Sequence, residues 1–551
     1  MKNKDENQIL LQQEENLNEQ RKSYWTPKSI TFEDVQLSDN GISPDQRKRA
    51  LNQLSEYVKD SQENFLGYQA TQRMDFSEFS KYLDVSINNL GDSFSSPKWD
   101  SNQVPPDGYF RMNDKWIERA VLDYYAKLWN AKSPRLVEED KEEGWLETYW
   151  GYILTMGSTE GNLLAMRNGR DYLNGTLLQY DPKPQTNTNN TFVNKSLEEV
   201  GYVQAVQDET NLNALTPVLF YSEATHYSIK KLAQVLQIKT FAQIAIERGF
   251  ENPFTEDRKW PNTIPIDKTG AIKVDELVKY ATFFIQKGFP ILVNFNYGTT
   301  WTGAYDDVGE AVAKLKPVLD RFGMFDRKIR IRGKEYERNG FWYHVDGALG
   351  AAFVPFIKND VEDGDEISKE FPDFDFKLHV HSISTSGHKW VGMPWPCGIY
   401  MTKNKYLISN DVPDYVGSLD STLAGSRNGF SALLMWDYLS KRSKDDLKAE
   451  VLNALKTVEY TKGELEKIYP RKVLHVPGSL VVIFPKPTKI DIIKKYSLAS
   501  SGNFSHIFIM RHVTEEMIDN LIIDLKKNLL KEEPLLTSKT DNDTVDHSFG
   551  W

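Results

Sequence analysis

The chain has 551 residues, too many for one compact core and enough for two or three packed domains. It is 40% hydrophobic and 26% charged, which excludes wholesale disorder, and its formal net charge of −11 disfavours nonspecific nucleic-acid or anionic-membrane binding. A single cysteine, Cys397, excludes an intramolecular disulfide framework and an all-cysteine metal site and fits a reducing compartment.

Residues 1–23 are polar and rich in Asn, Gln, Glu and Lys, and read as a disordered leader. They lack the apolar middle of a secretory signal, and no run of about 18 apolar residues follows anywhere. A cytoplasmic protein is expected, with no metal, no nucleic-acid partner and no membrane partner. Ser43-Pro44-Asp45 opens a predicted helix carrying Ala50, Leu51, Leu54 and Tyr57 at helical spacing, with Ser43 as its cap. A second helix is predicted from Trp116, Ala120, Val121, Tyr124, Tyr125 and Leu128.

Between about Thr155 and Leu423, apolar runs at Val218–Tyr221, Ile291–Phe295 and Trp342–Val345 alternate with helical stretches such as Ser228–Gln237 and Val274–Gln286. That alternation predicts an α/β domain around a mostly parallel sheet. Pro182–Ser196 reads as a surface loop, and Arg327–Arg338 as an exposed hairpin. After Arg427-Asn428-Gly429, a helix from Phe430 leads to predicted strands near Leu480–Phe484 and Ile507–Met510 and a helix over Thr514–Leu529. This is a smaller α+β segment, followed by a polar tail.

Chemistry-bearing residues fall just after the strands, where open α/β sheets bind ligands. Ser384-Thr385-Ser386-Gly387-His388-Lys389-Trp390 leads a lysine into a stiff apolar run; desolvation there would free a neutral, nucleophilic amine, although most lysines merely snorkel. His344-Val345-Asp346-Gly347-Ala348 ends a strand in a carboxylate, suited to the pyridine nitrogen of pyridoxal phosphate or, equally, to capping a helix. Gly157-Ser158-Thr159-Glu160-Gly161-Asn162 opens a helix whose amides and hydroxyls could hold a phosphate or simply form a capping turn. Thr225-His226-Tyr227-Ser228 offers an imidazole that could stack on a flat cofactor or sit in the core, and Gly298-Thr299-Thr300 is a polar turn. Each segment alone is weak; their order within one domain is what combines them.

Together these segments, with Asp420-Ser421-Thr422 and Gly425-Ser426-Arg427-Asn428-Gly429, resemble the signatures of the group II pyridoxal-phosphate-dependent amino-acid decarboxylases over roughly Tyr24–Leu530. Asn64-Phe65-Leu66-Gly67-Tyr68-Gln69 is most similar to the methionine and valine decarboxylases of the histidine-decarboxylase-like branch. The resemblance implies an aspartate-aminotransferase-like (type I) α/β fold. Its parts would be an N-terminal dimerisation segment at 24–115, a large cofactor domain at 116–429, a small C-terminal α+β domain at 430–532 and a disordered tail at 533–551. It further implies a homodimer with active sites at the subunit interface. Lys389 would form the Schiff base with pyridoxal 5′-phosphate, Asp346 would hold the pyridine N–H, and His226 and Ala348 would flank the ring. Ser158, Thr159, Ser386 and His388 would bind phosphate, with Thr299 near the phenolic oxygen. Asp411–Ser418 resembles the mobile catalytic loop, making Tyr415 the group that returns a proton to Cα. The implied reaction is decarboxylation of an apolar aliphatic or sulfur-containing amino acid (methionine, valine or leucine), with Phe65 and Tyr68 as substrate contacts and Trp395 as a further pocket or core aromatic. Histidine or aromatic amino-acid decarboxylation, or another type I reaction, is the alternative.

Overall fold

Strands that must bury both faces carry unbroken apolar runs, and these runs assemble the central sheet. In the computed structural model, which describes residues 37, 41–93, 108–134, 142–182, 203–358, 370–409 and 415–529, the strands are β1 (Tyr149–Leu154), β2 (Val218–Phe220), β3 (Ile291–Asn296), β4 (Arg327–Ile331), β5 (Lys334–Arg338), β6 (Phe341–Asp346), β7 (Ser382–Ser386) and β8 (Gly398–Lys403). The leader at 1–23, the tail at 533–551, and residues 183–196 and 411–414 of the two predicted loops lie outside the described residues.

Six of these strands form one sheet in the order β1-β8-β7-β6-β3-β2. All its pairs are parallel except those of β8, which runs against both β7 and β1. Register aligns Asn296 with Asp346 and Asp346 with Ser384, while Ser386 and Leu154 both face Gly398. The ends of five parallel strands therefore meet at one edge. β1, β3 and β6 are buried along their whole length, as the predicted α/β domain requires.

The predicted hairpin forms as β4 and β5, but it is not simply exposed. Ile329, Ile331 and Tyr336 are buried with Leu177 and Leu215, so one face of the ribbon is core. Lys328, Arg330, Glu335 and Glu337 lie on the exposed side, whereas Arg327 and Arg338 are buried.

Helix Lys115–Leu128 forms on the predicted spacing, yet Trp116 is 63% exposed; Ile117, Val121, Leu122 and Tyr125 make the buried stripe instead. Within that stripe Glu118 is fully buried against Arg427, and it also accepts from the Ile153 amide at 2.7 Å. The Arg427 guanidinium donates to the Gly91 carbonyl at 2.8 Å. Removing one member of a buried, hydrogen-bonded pair strands the other charge. Arg427→Met is therefore expected to cost about 3–5 kcal/mol, read as a shifted midpoint in denaturant unfolding.

The chain divides into two units. One comprises Met1–Tyr68, Lys486–Ser505 and Thr514–Thr537, and the other Gln69–Pro485, His506–Val513 and Ser538–Trp551. In the first, helix Pro44–Glu63 starts at Ser43, whose hydroxyl accepts from the Gln46 amide at 3.2 Å. Of its predicted stripe only Ala50 is buried; Leu51, Leu54 and Tyr57 stay nearly half exposed. Towards the C-terminus the strands are Val481–Pro485, Ala499–Ser501 and Phe504–Phe508, followed by helix Glu515–Leu529. The second predicted strand starts three residues earlier than its apolar run, at the aromatic Phe504.

Candidate active site

The segments leaving the converging strand ends line a cavity of about 250 Å³. Met156, Ser158 and Thr159 come from the turn after β1, His226 from beyond β2, and Thr299 from beyond β3. Asp346 and Ala348 end β6, and Ser386, His388 and Lys389 end β7. Nine predicted site residues thus share one cavity.

Its floor depends on helix Ser158–Leu173. Gly157 precedes the helix at φ +69°, a left-handed conformation, and a Cβ there would lie 2.6 Å from His388 Cε1. Gly157 at the N-cap has no side chain to cap the first turn, and of that turn's amides the one of Ser158 donates to Ser386 Oγ, so the helix N-terminus faces the cavity as an anion site. Gly161 lets the helix approach β7, since a Cβ would fall 2.7 Å from Ser384 Cβ. Gly157→Ala is expected to cost about 1–3 kcal/mol in folding and to weaken phosphate binding, checked by unfolding curves and cofactor titration.

Lys389 is half-buried, and desolvation brings its amine down to about 8 against the opposing pull of Asp346. Burial, reinforced by Lys389 and opposed by Asp346, also holds His226 below the usual imidazole range. His226 Nδ1 lies 2.8 Å from Ser228 Oγ, which fixes the ring at the start of its own helix. His388 too is lowered by burial, and its Nδ1 sits 3.2 Å from the Cys397 carbonyl. Cys397 is fully buried behind this turn, and burial pushes its thiol up to about 12.

The hydroxyls divide by partner. Ser158 Oγ is 3.1 Å from Asp346 Oδ1 and 2.7 Å from Ser384 Oγ, and the Ser158 amide donates to Ser386 Oγ at 3.1 Å. Thr299 Oγ1 accepts from the Ala304 amide at 2.9 Å and meets Thr302 Oγ1 at 2.9 Å, closing its own turn. Thr159 lines the cavity without such an engagement.

Further residues act on the site from outside the cavity lining. Thr71 donates from its amide to the Lys389 carbonyl at 3.0 Å and from its hydroxyl to the Trp390 carbonyl at 3.0 Å. The Arg511 guanidinium donates to the carbonyls of Trp390 and Val391, each at 2.8 Å. Together they lock the backbone that carries the lysine. Glu160, fully buried, accepts from the amides of Thr155 (2.6 Å) and Met156 (2.9 Å), holding the turn below the cavity. Its signal was a Thr followed by an acid early in a helix.

Four predicted residues are not among those lining the cavity. Tyr415 is 81% exposed and does not line the cavity of its own chain. Phe65 and Tyr68 belong to the other unit, where their rings stack with centroids 6.1 Å apart. Trp395 donates its indole N–H to Ser431 Oγ at 2.8 Å, so it is anchored beside the cavity residue Pro396 without lining the cavity.

The profile of the pyridoxal-dependent decarboxylase conserved domain matches residues 195–484. The L-methionine decarboxylase of Streptomyces sp. 590, solved with L-methionine methyl ester, is 36% identical with a TM-score of 0.78, covering 91% of this chain and 98% of that one. Histidine decarboxylase of Vibrio campbellii is 28% identical, covering 89% of this chain and 97% of its own length. Serine decarboxylase 1 of Oryza sativa subsp. japonica is 26% identical, covering 84% and 71% respectively.

Proposed function

This chain belongs to the pyridoxal-dependent decarboxylase family, and from that premise we propose that its substrate is a small apolar or sulfur-containing L-amino acid, methionine before valine or leucine. The protein is an amino-acid carboxy-lyase of the type I fold with pyridoxal 5′-phosphate as cofactor. The observation that carries the substrate reading is 36% identity to a methionine decarboxylase across nine-tenths of the chain. The cavity supports this: Met156 and Pro396 line it, and among the described residues Lys389 is its one lining lysine or arginine, which leaves no further lysine or arginine to pair a charged acidic side chain.

The donor set fits the cofactor. An uncapped helix N-terminus with Thr159, Ser386 and His388 would hold the phosphate, and Asp346 the pyridine N–H. His226 and Ala348 would flank the ring. Because Ser158 Oγ already faces Asp346, Thr159 takes the role of the phosphate hydroxyl. Bound pyridoxal phosphate supplies the electron sink for the pair released when the Cα–carboxylate bond breaks. Burial brings Lys389 down far enough that a share of its amine is the unprotonated nucleophile, and it recovers that role after each turnover. Tyr415, exposed on its own chain, would return the proton to Cα in a partner's site. A homodimer is supported by that exposure and by the uncovered stripe Leu51, Leu54 and Tyr57. Among the described residues no helix is long and apolar enough to cross a membrane; with the lone buried cysteine, this supports a cytoplasmic setting.

Carbon dioxide release and amine formation across the standard amino acids, with added pyridoxal phosphate, test the reading. Methionine is expected to give the highest kcat/KM. Selective turnover of histidine, as the 28% identical relative would favour, would replace it. A pH test follows from Lys389. Its neutral fraction rises about tenfold per unit up to about 8 and then levels, so recombination of apoprotein with cofactor is expected to accelerate and plateau likewise. Stopped-flow absorbance checks this, and a rate independent of pH below about 8 would contradict it.

A further inference from the structure

The carboxylate of Asp346 is held by donors on both of its oxygens. Oδ1 accepts from Ser158 Oγ at 3.1 Å and from the Ala348 amide at 3.2 Å. Oδ2 accepts from Asn162 Nδ2 at 2.7 Å, the shortest of the three. Ser158 and Asn162 stand one helical turn apart, so a single helix face supplies a donor to each oxygen.

Asn162 is itself fixed. Its Oδ1 meets Ser384 Oγ at 2.8 Å and His344 Nε2 at 2.9 Å. Asn162, His344 and Ser384 are all at most 1% exposed. Burial brings His344 down to about 4, against the opposing charge of Asp346, so its imidazole is neutral and carries one proton. Nδ1 lies 2.9 Å from Ser382 Oγ and 3.2 Å from the Ser382 carbonyl; with Asn162 Oδ1 facing Nε2, the matching tautomer carries its proton on Nε2 and accepts the Ser382 hydroxyl at Nδ1. A flipped amide would set Asn162 Oδ1 against the Asp346 carboxylate oxygen, acceptor against acceptor. The amide therefore has one satisfactory orientation, with Nδ2 towards Asp346.

We infer that Asn162, oriented by His344 and Ser384, is a positioning residue that aims the Asp346 carboxylate at the cofactor's ring nitrogen. A well-aimed acceptor holds the proton on the ring, and loss of the Asn162 donor would let the carboxylate turn away from it. The inference rests on the pyridoxal-phosphate reading above. The titratable groups facing Asp346 are His344, His226 and Lys389.

The test uses purified full-length protein loaded with ¹⁵N-labelled pyridoxal phosphate. Two readouts are taken: the ring-nitrogen NMR shift as a function of pH, and the cofactor Kd from fluorescence titration of the apoprotein. Wild type is expected to hold the ring nitrogen protonated throughout the neutral range. In Asn162→Ala the protonated signal is expected to titrate away within that range, with Kd raised about tenfold, the scale of one lost hydrogen bond to a charged group. Asn162→Asp, nearly isosteric, sets a second carboxylate against Asp346 and is expected to shift the signal further; it keeps the test decisive if the alanine variant does not fold. His344→Gln, which retains a donor, is expected to stay closer to wild type than His344→Ala. Wild-type ring-nitrogen behaviour and Kd in folded Asn162→Ala or Asn162→Asp would overturn the inference. A wild-type protein that binds no pyridoxal phosphate would overturn the underlying reading instead.

Discussion

Lys389→Ala is expected to lower kcat/KM by about 10³-fold or more, because it removes both the nucleophile and a positioned proton carrier. Among the described residues Lys389 is the one lysine lining the cavity, and its amine, brought down to about 8, supplies the site's nucleophile. The lost function should be visible before any kinetics: the variant should bind cofactor reversibly, without the absorbance of a lysine adduct, and release it on dialysis. The variant should also fold well. A lysine held near 8 in the folded apoprotein against an ordinary 10.5 makes the unfolded chain the better proton binder between those values. Apoprotein stability therefore rises with pH across that window, and replacing Lys389 by an apolar side chain should remove the rise. Wild-type turnover in Lys389→Ala would sink the proposed mechanism.

Tyr415→Phe is expected to reduce amine formation by about 10²–10⁴-fold, the span of a lost general acid. The effect should be selective. Carbon dioxide release does not need the phenol, so amine should fall more than carbon dioxide, and aldehyde formed with dissolved dioxygen as oxidant, with release of ammonia and hydrogen peroxide, should account for the difference. Mixing experiments add a second check. Since Tyr415 is 81% exposed and outside its own cavity, a Lys389→Ala chain and a Tyr415→Phe chain should together form one competent site per mixed dimer. No recovery on mixing would place the tyrosine's action within its own subunit.

The sheet was legible because buried parallel strands announce themselves as apolar runs: Ile291–Asn296 and Phe341–Asp346 lie where those runs do. Helix existence was equally plain, but the faces helices bury were less so. Periodicity states that Leu51, Leu54 and Tyr57 share a side of Pro44–Glu63; it does not state what covers that side. Trp116 fell on a plausible stripe and proved exposed because Ile117 and Val121 set the stripe one position round. In the site, Asp346 and Lys389 stood out at strand ends. Asn162 and His344 were visible only as members of motifs, since their significance comes from a meeting of segments 182 residues apart. Arg511 was not visible at all: it reaches Trp390 across 121 residues, and a lone arginine after a strand has no local signature.

The reversed direction of β8 has a dynamic consequence. A strand-to-helix crossover would leave the lysine on a turn free to breathe with its helix. Here residues 387–397 leave β7 and return at once along its neighbour, with Ser386 paired to Gly398 at the neck. Inside the neck, the Gly387 amide donates to the Cys397 carbonyl at 2.7 Å, and the Met393 amide returns to the Gly387 carbonyl at 3.1 Å. Displacing the backbone that carries the nucleophile therefore means breaking hydrogen bonds at the neck of the β7–β8 pair. The amides of Gly387 and Met393 should accordingly exchange with solvent only on global unfolding, which places the reactive lysine in the slowest-opening part of the molecule.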